Sequence, residues 1–446
     1  MTFRRRLITL LAVLALLAVP AVVVQALCLG SACTKTTAPA KAAIPFCPLP
    51  PEVRAEIASG YRQGRSPDVM GVTRVSDLAG MTGPGRTDVS APWPALARLP
   101  DARVPIVFSG SGVTKGAEIP AGTGLDDIAG TIARVLHFQR PYPDVRAGTA
   151  VPGVTSGGQP PRLVLEVAWK GVGSEDLQAD PKAWPFLRSM TDAGASGLGA
   201  VTGSLPLDSA ATLTTIGTGG LPSQHGITGT LVLNGHAQLT QAWGKGAPLS
   251  VISTLGDELD HAMAEAPMIG MVGTSPSDRG IVGGTWFVPH DRDPVVLAHG
   301  DQQVSATERL LSTGFGSDST PDLLSVVMRD SIPHMDEALR RIVAVADQAS
   351  NGSLTVVVAG TGSAGAPRAA SPDRVVQSAE AAVPGTGQVI DAAVPGGFFL
   401  DQKTLADEGL TAQTVVQALS KQTATGGQPL WANVFPSFAV SFGKYC

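Results

Sequence analysis

The run Leu354 to Ala359 (LTVVVA) is the most β-rich stretch of the chain, and it sets the terms for the rest. Leu323 to Met328 and Val104 to Phe108 read as further buried strands, and Met268 to Gly273 as a strand. Between them lie stretches with apolar residues at helical spacing: Leu125 to Leu136, Leu249 to Ala266 and Met335 to Ala349. Such alternation predicts an α/β fold with a mainly parallel sheet covered by helices on both faces. Pro51 to Gly60 also reads as a helix, with Pro at its start and Gly at its stop. Gly283 to Leu297 reads as strand and turn. Gly64 to Pro94 and Gly365 to Pro395 are expected to be irregular loop. Phe398 to Leu400, Ala412 to Leu419 and Asn433 to Phe442 suggest a strand, a helix and a strand in a small α+β subdomain.

The length, 446 residues, admits one large α/β domain or two ordinary ones. A net charge of -5 and an aromatic content of 5% argue against a nucleic-acid partner. At the N-terminus, Arg4, Arg5 and Arg6 precede an uncharged apolar run, Leu7 to Leu27. That order directs export, as a membrane anchor or as a signal peptide cleaved after Val24-Gln25-Ala26. The expectation is an extracytoplasmic protein, membrane-anchored or secreted, with residues 1–33 as the export segment and 34–48 as a linker. All four cysteines sit near the ends, so an oxidising compartment would let Cys47 pair with Cys446 and Cys28 with Cys33. The alternative is unpaired thiols.

Gly203 to Val232 is rich in small residues and hydroxyls, which suit an exposed turn and helix start facing an anion, or a plain loop. Thr218, Gly219, Pro222, His225, Gly226 and Ile227 stand in the spacing Thr-Gly-x-x-Pro-x-x-His-Gly-Ile. This stretch resembles the nucleophile segment of the type I phosphodiesterase/nucleotide pyrophosphatase branch of the alkaline phosphatase superfamily. The resemblance implies a three-layer α/β/α domain and puts the nucleophile on Ser209. Thr212 then falls where the family has a phosphate-holding Asn, which makes it the candidate substrate-binding residue. His225 would support the loop without being a ligand.

A second block resembles the family's last strand and helix: Val104 to Phe108, Gly110, Gly112, Val113, Gly116, Ile119, Asp127, Ile128, Thr131, Leu136 and Pro141. Here it precedes the nucleophile segment, as a circular permutation would place it. On that reading residues 49–446 are one alkaline phosphatase-like domain, with 49–154 the permuted C-terminal block, 162–364 the core with the nucleophile-type loop, and 396–446 the small subdomain. The resemblance makes Leu163 to Ala168 the family's first strand and Trp184 to Ala193 the helix leading to the nucleophile.

Phosphoryl transfer in this superfamily uses two divalent ions, zinc or manganese, held by carboxylates and imidazoles from several strand ends. The first-strand Asp falls on about Ala168, and strand alternation is expected to turn nearby Glu166 off that face. The expected Asp-His-Gly turn reads Ala359-Gly360-Thr361-Gly362-Ser363, without a ligand. Asp330 and His334 keep an Asp-x-x-x-His spacing and are the candidate metal ligands. His290 to Asp293 reads as a polar turn, a solvated loop or else a binder of a cation or a phosphate, and His137, His236, His261 and His299 stand alone as structural or surface residues. The chain is therefore expected to be a degenerate, non-catalytic relative, or one with an altered site, taking a phosphate-ester ligand or an envelope partner. The alternative is an active metal-dependent phosphodiesterase or phosphatase with Ser209 as nucleophile.

Overall fold

The structure, a computed structural model, describes residues 44–75, 78–83, 92–96, 102–284, 286–287, 293–365, 370–385, 388–424 and 426–446. Cys28, Cys33, the apolar run 7–27 and His290 to Arg292 lie outside them. Residues Ile44–Cys446 form one compact unit.

Its strands, in order, begin with β1 (Val69–Thr73), β2 (Arg103–Gly110), β3 (Leu163–Trp169) and β4 (Ala195–Val201). A hairpin, β5 (Leu231–Leu233) and β6 (Leu239–Gln241), precedes β7 (Ile269–Gly273), β8 (Val295–Leu297), β9 (Asp322–Met328) and β10 (Leu354–Gly360). β11 (Ile390–Val394), β12 (Gly397–Leu400) and β13 (Trp431–Pro436) close the chain.

Seven strands form the main sheet in the order β4-β2-β10-β3-β9-β7-β8. β10, β3, β9, β7 and β8 run parallel, while β2 runs antiparallel to both β10 and β4. Every residue of β3, β9 and β10 is buried. Alternation divides their side chains between two cores. Val164, Leu323, Val327 and Val357 meet Ile128, Ile132, Leu213 and Ile216 of the helices Asp127–Val135 and Ser209–Thr218. Leu165, Val326, Val356 and Val358 meet Leu187, Leu339 and Ile342 of the helices Pro185–Ala193 and Ile332–Ala349. Burial on both faces is why LTVVVA carries no charge. Each such Val or Leu contributes roughly 1.5–3 kcal/mol by leaving water.

Two expected loops contain ordered elements. Gly64 to Pro94 contains β1, which lies between β12 and β13 in an antiparallel four-stranded sheet, β11-β12-β1-β13. The strand is too short to show a period of its own, and Gly71 is set by packing: a Cβ there would meet the Trp431 ring at 2.7 Å. Gly365 to Pro395 contains β11 and the helix Pro372–Glu380, capped by the Ser371 hydroxyl, which accepts from Arg374 N–H. Sequence reading also missed β4 (ASGLGAV), whose small residues have no strand signature. They suit close approach, since a Cβ on Gly197 would lie 2.7 Å from the Ile119 carbonyl oxygen. Of the last expected strand, Asn433 to Phe442, only the part up to Pro436 is β, within β13; Ser437–Tyr445 follows as 3-10 turns.

A disulfide joins Cys47 to Cys446, across a sequence separation of 399. Among the described residues, no helix is long and apolar enough to cross a membrane.

Candidate functional site

The parallel strands β3, β7, β9 and β10 end at one edge of the sheet, where ligands of open α/β sheets bind. Lys170, Thr274, Arg329 and Thr361 directly follow those strands, and with Ser209 they line an open cleft of ≈ 580 Å³.

Ser209 is the first residue of the helix Ser209–Thr218, and Asp208 is its N-cap. Asp is a strong N-cap because its carboxylate accepts from the orphan backbone donors of the first turn. Here Oδ1 accepts from Ala210 N–H (2.9 Å) and from the Thr230 hydroxyl (3.0 Å), itself part of the cleft lining. Burial pushes the Asp208 carboxyl up, and those hydrogen bonds with the Lys170 charge pull it back. The cap holds Ser209 at the cleft mouth. Thr212, by contrast, is buried, and its hydroxyl donates to the Asp208 carbonyl at 2.6 Å. It stays out of the cleft lining, because one turn of helix carries it inward.

The helix ends in the Gly-rich turn. Gly219 and Gly226 take φ of 73° and 82°, the left-handed region that favours glycine after a helix. His225 is fully buried between them. Ile227 N–H donates to its Nδ1 at 3.1 Å, so Nε2 carries the proton and faces the Thr215 hydroxyl at 3.1 Å. Burial, then the nearby Arg62 and Arg65 charges, lower its pKa to about 3, so it stays neutral. Its role is to hold the turn.

Asp330 lines the cleft, whereas His334 does not. The helix begins at Ile332 rather than Met335, with Ser331 as its N-cap, so His334 already lies in its first turn. His334 Nδ1 and Asp330 Oδ2 are 3.4 Å apart, with side chains 58% and 36% exposed. His299 joins the cleft from the loop after β8.

Glu166 needs a correction. It shares a face of β3 with Ala168, since they are two positions apart, and it is depth that removes it from the cleft. It is 3% exposed and accepts from the Ser325 hydroxyl of β9 at 2.9 Å. Burial pushes its carboxyl up to about 7.

The residues sequence reading missed are the ones that set the cleft's charge. Lys170 Nζ pairs with Asp278 Oδ1 at 2.6 Å and also reaches Thr274 Oγ1 at 3.4 Å. Asp278 Oδ2 accepts from Thr274 N–H and hydroxyl (both 2.7 Å) and from Ser275 N–H (2.9 Å). The Asp278 side chain is wholly buried and that of Lys170 is 12% exposed, so the pair presents its ammonium to the cleft. Thr361 ties the edge together by accepting from Gly171 N–H at 2.9 Å. The signal for Lys170 was its place, the first residue after a buried strand at the sheet's carboxyl edge.

Zinc or manganese would need carboxylates and imidazoles from several strand ends. The end of β3 offers Lys170, and the end of β10 offers Thr361 and Ser363. Among the described residues no group of three His, Cys, Asp or Glu side chains is placed to hold a metal ion. These residues do not fit a two-metal centre.

No family model matches the chain, and no curated protein matches it in sequence. Among solved structures it is similar to wild-type alkaline phosphatase PafA, with 13% identity over 58% of this chain and 76% of that chain, TM-score 0.42. It is also similar to phosphonoacetate hydrolase from Sinorhizobium meliloti 1021 in complex with phosphonoacetate, with 14% identity over 44% of this chain and 55% of that chain, TM-score 0.31. At these TM-scores the α/β assignment rests on the strand order and register themselves.

Proposed function

We propose that this chain is an exported, degenerate relative of the alkaline phosphatase-type phosphodiesterases whose cleft binds a phosphate-ester oxyanion without hydrolysing it. The observation that carries the reading is the Lys170–Asp278 pair: a buried carboxylate fixes an ammonium at the end of β3, where a metal-binding carboxylate would be required. Lys170 supplies an ammonium to the cleft, and the Ser209, Ser275 and Thr361 hydroxyls supply donors. Fixed donors of this kind suit an anion's oxygens and cost no metal. Ser209 is kept as an anion contact in this account, at the position where the resemblance puts a nucleophile. The permuted order is supported by the Cys47–Cys446 bond, since it brings the two ends of the unit together as permutation requires.

Calorimetric titration of phenyl phosphate into the full chain tests the binding claim. Lys170→Ala should weaken binding by tenfold or more, about 1.4 kcal/mol, and Ser209→Ala by less. Unchanged affinity in Lys170→Ala would sink the assignment. Failure of wild type to bind phenyl phosphate would leave the cleft to a protein partner of the envelope.

A further inference from the structure

We propose that the C-terminal turns Ser437–Tyr445 are a surface that rests on a lipid bilayer, an inference that rests on reading the N-terminal apolar run as a membrane anchor. Ala439 and Val440 are buried and hold the segment against Phe46 and against Val53 and Ile57 of the helix Pro51–Gly60. The other side faces water: Phe438 is 57% exposed, Phe442 47% and Tyr445 67%. No other stretch this short among the described residues leaves three large apolar side chains exposed. Phe438 and Phe442 meet edge to face, with ring centroids 6.4 Å apart. Lys444 Nζ sits 5.0 Å from the centre of the Tyr445 ring. From Ser437 to Cys446 the only charged side chain is Lys444.

Exposed Phe rings beside a Tyr with a polar tip and a neighbouring cation are what the bilayer–water interface accepts. The occupant follows from where the chain goes. Cys446 is bonded to Cys47, so the aromatic stripe stands beside the start of the described chain at Ile44. Residues 28–43 connect that point to the apolar run Leu7 to Leu27 behind Arg4–Arg6. Fully extended, the connection reaches roughly 50 Å. A bilayer holding the N-terminal run is thus within reach of the C-terminal rings. Insertion of the rings recovers apolar burial that the folded unit leaves unused.

Residues 44–446 contain all the described cores and their own disulfide, so the surface is testable without the N-terminal run. Flotation with vesicles of phosphatidylcholine, with or without phosphatidylglycerol, reads the bound fraction. The unit should float with both, more with the anionic lipid. Changing Phe438, Phe442 and Tyr445 together to Ser should lower partitioning by about tenfold at an unchanged melting temperature. If that variant melts early, Phe442→Ser alone gives the same direction. Lys444→Glu should weaken binding only to the anionic vesicles. A wild-type unit that stays with the soluble fraction, or a triple variant that floats equally, would overturn the proposal. A concentration-dependent dimer lost in the triple variant would overturn it too, by assigning the face to a second copy.

Discussion

Single buried carboxylates carry the clearest expectations at the scale of the residue. Glu166 has its pKa raised from 4.5 to about 7 by burial within the central sheet. A raised carboxyl means that the folded state holds the proton more tightly than the unfolded one. The associated stability is fully present below pH 4.5 and is lost as pH rises through about 7, for a total of roughly 3 kcal/mol. Glu166→Gln keeps an acceptor for the Ser325 hydroxyl and removes the charge. It should raise the melting temperature at pH 8 and leave it nearly unchanged at pH 4, as thermal unfolding at both values would read. Burial raises the Asp208 carboxyl too, but this side chain cannot be lost without cost, since it caps the helix that carries Ser209. Asp208→Ala should cost about 1–2 kcal/mol in urea unfolding, because a first-turn N–H and the Thr230 hydroxyl both lose their acceptor.

The helix Ser209–Thr218 and the turn Pro276–Ile281 are the pair of elements on which the cleft depends. They meet through glycine: a Cβ on Gly217 would lie 2.4 Å from the carbonyl oxygens of Gly280 and Ile281. That close approach sets Asp278, and with it Lys170, relative to Ser209. Gly217→Ala should destabilise by roughly 1–3 kcal/mol, measured by chemical denaturation, and should weaken phenyl phosphate binding as the turn shifts. Such contacts explain what the sequence shows and hides. LTVVVA and Leu323 to Met328 were legible as central strands because burial on both faces demands near-continuous apolar runs, whereas Leu163 to Ala168, interrupted by Glu166, was placed by the resemblance. β1 and β4 were not, since short Gly-containing strands are selected by their partners' shape. Within the site, the Thr218 to Ile227 spacing located the helix end and His225. Lys170 and Asp278 escaped because they pair across 108 residues, and nothing local marks either one.

For the molecule as a whole, the Cys47–Cys446 bond closes nearly the full unit into one loop. It limits the freedom of the unfolded chain, so Cys47→Ser with Cys446→Ser should cost about 2–5 kcal/mol in guanidinium unfolding. The edge-of-sheet cleft should survive that change, because β3, β7, β9 and β10 are held by their own ladder. The fold thus places a cleft at the carboxyl ends of its parallel strands, with the Lys170 ammonium fixed there, and the proposal is that it binds an oxyanion without hydrolysing it. Hydrolysis of bis(p-nitrophenyl) phosphate, with zinc or manganese added, by wild type and by Ser209→Ala tests this most directly. Equal background rates in both proteins are the predicted result. Metal-dependent turnover that disappears in Ser209→Ala would contradict the account.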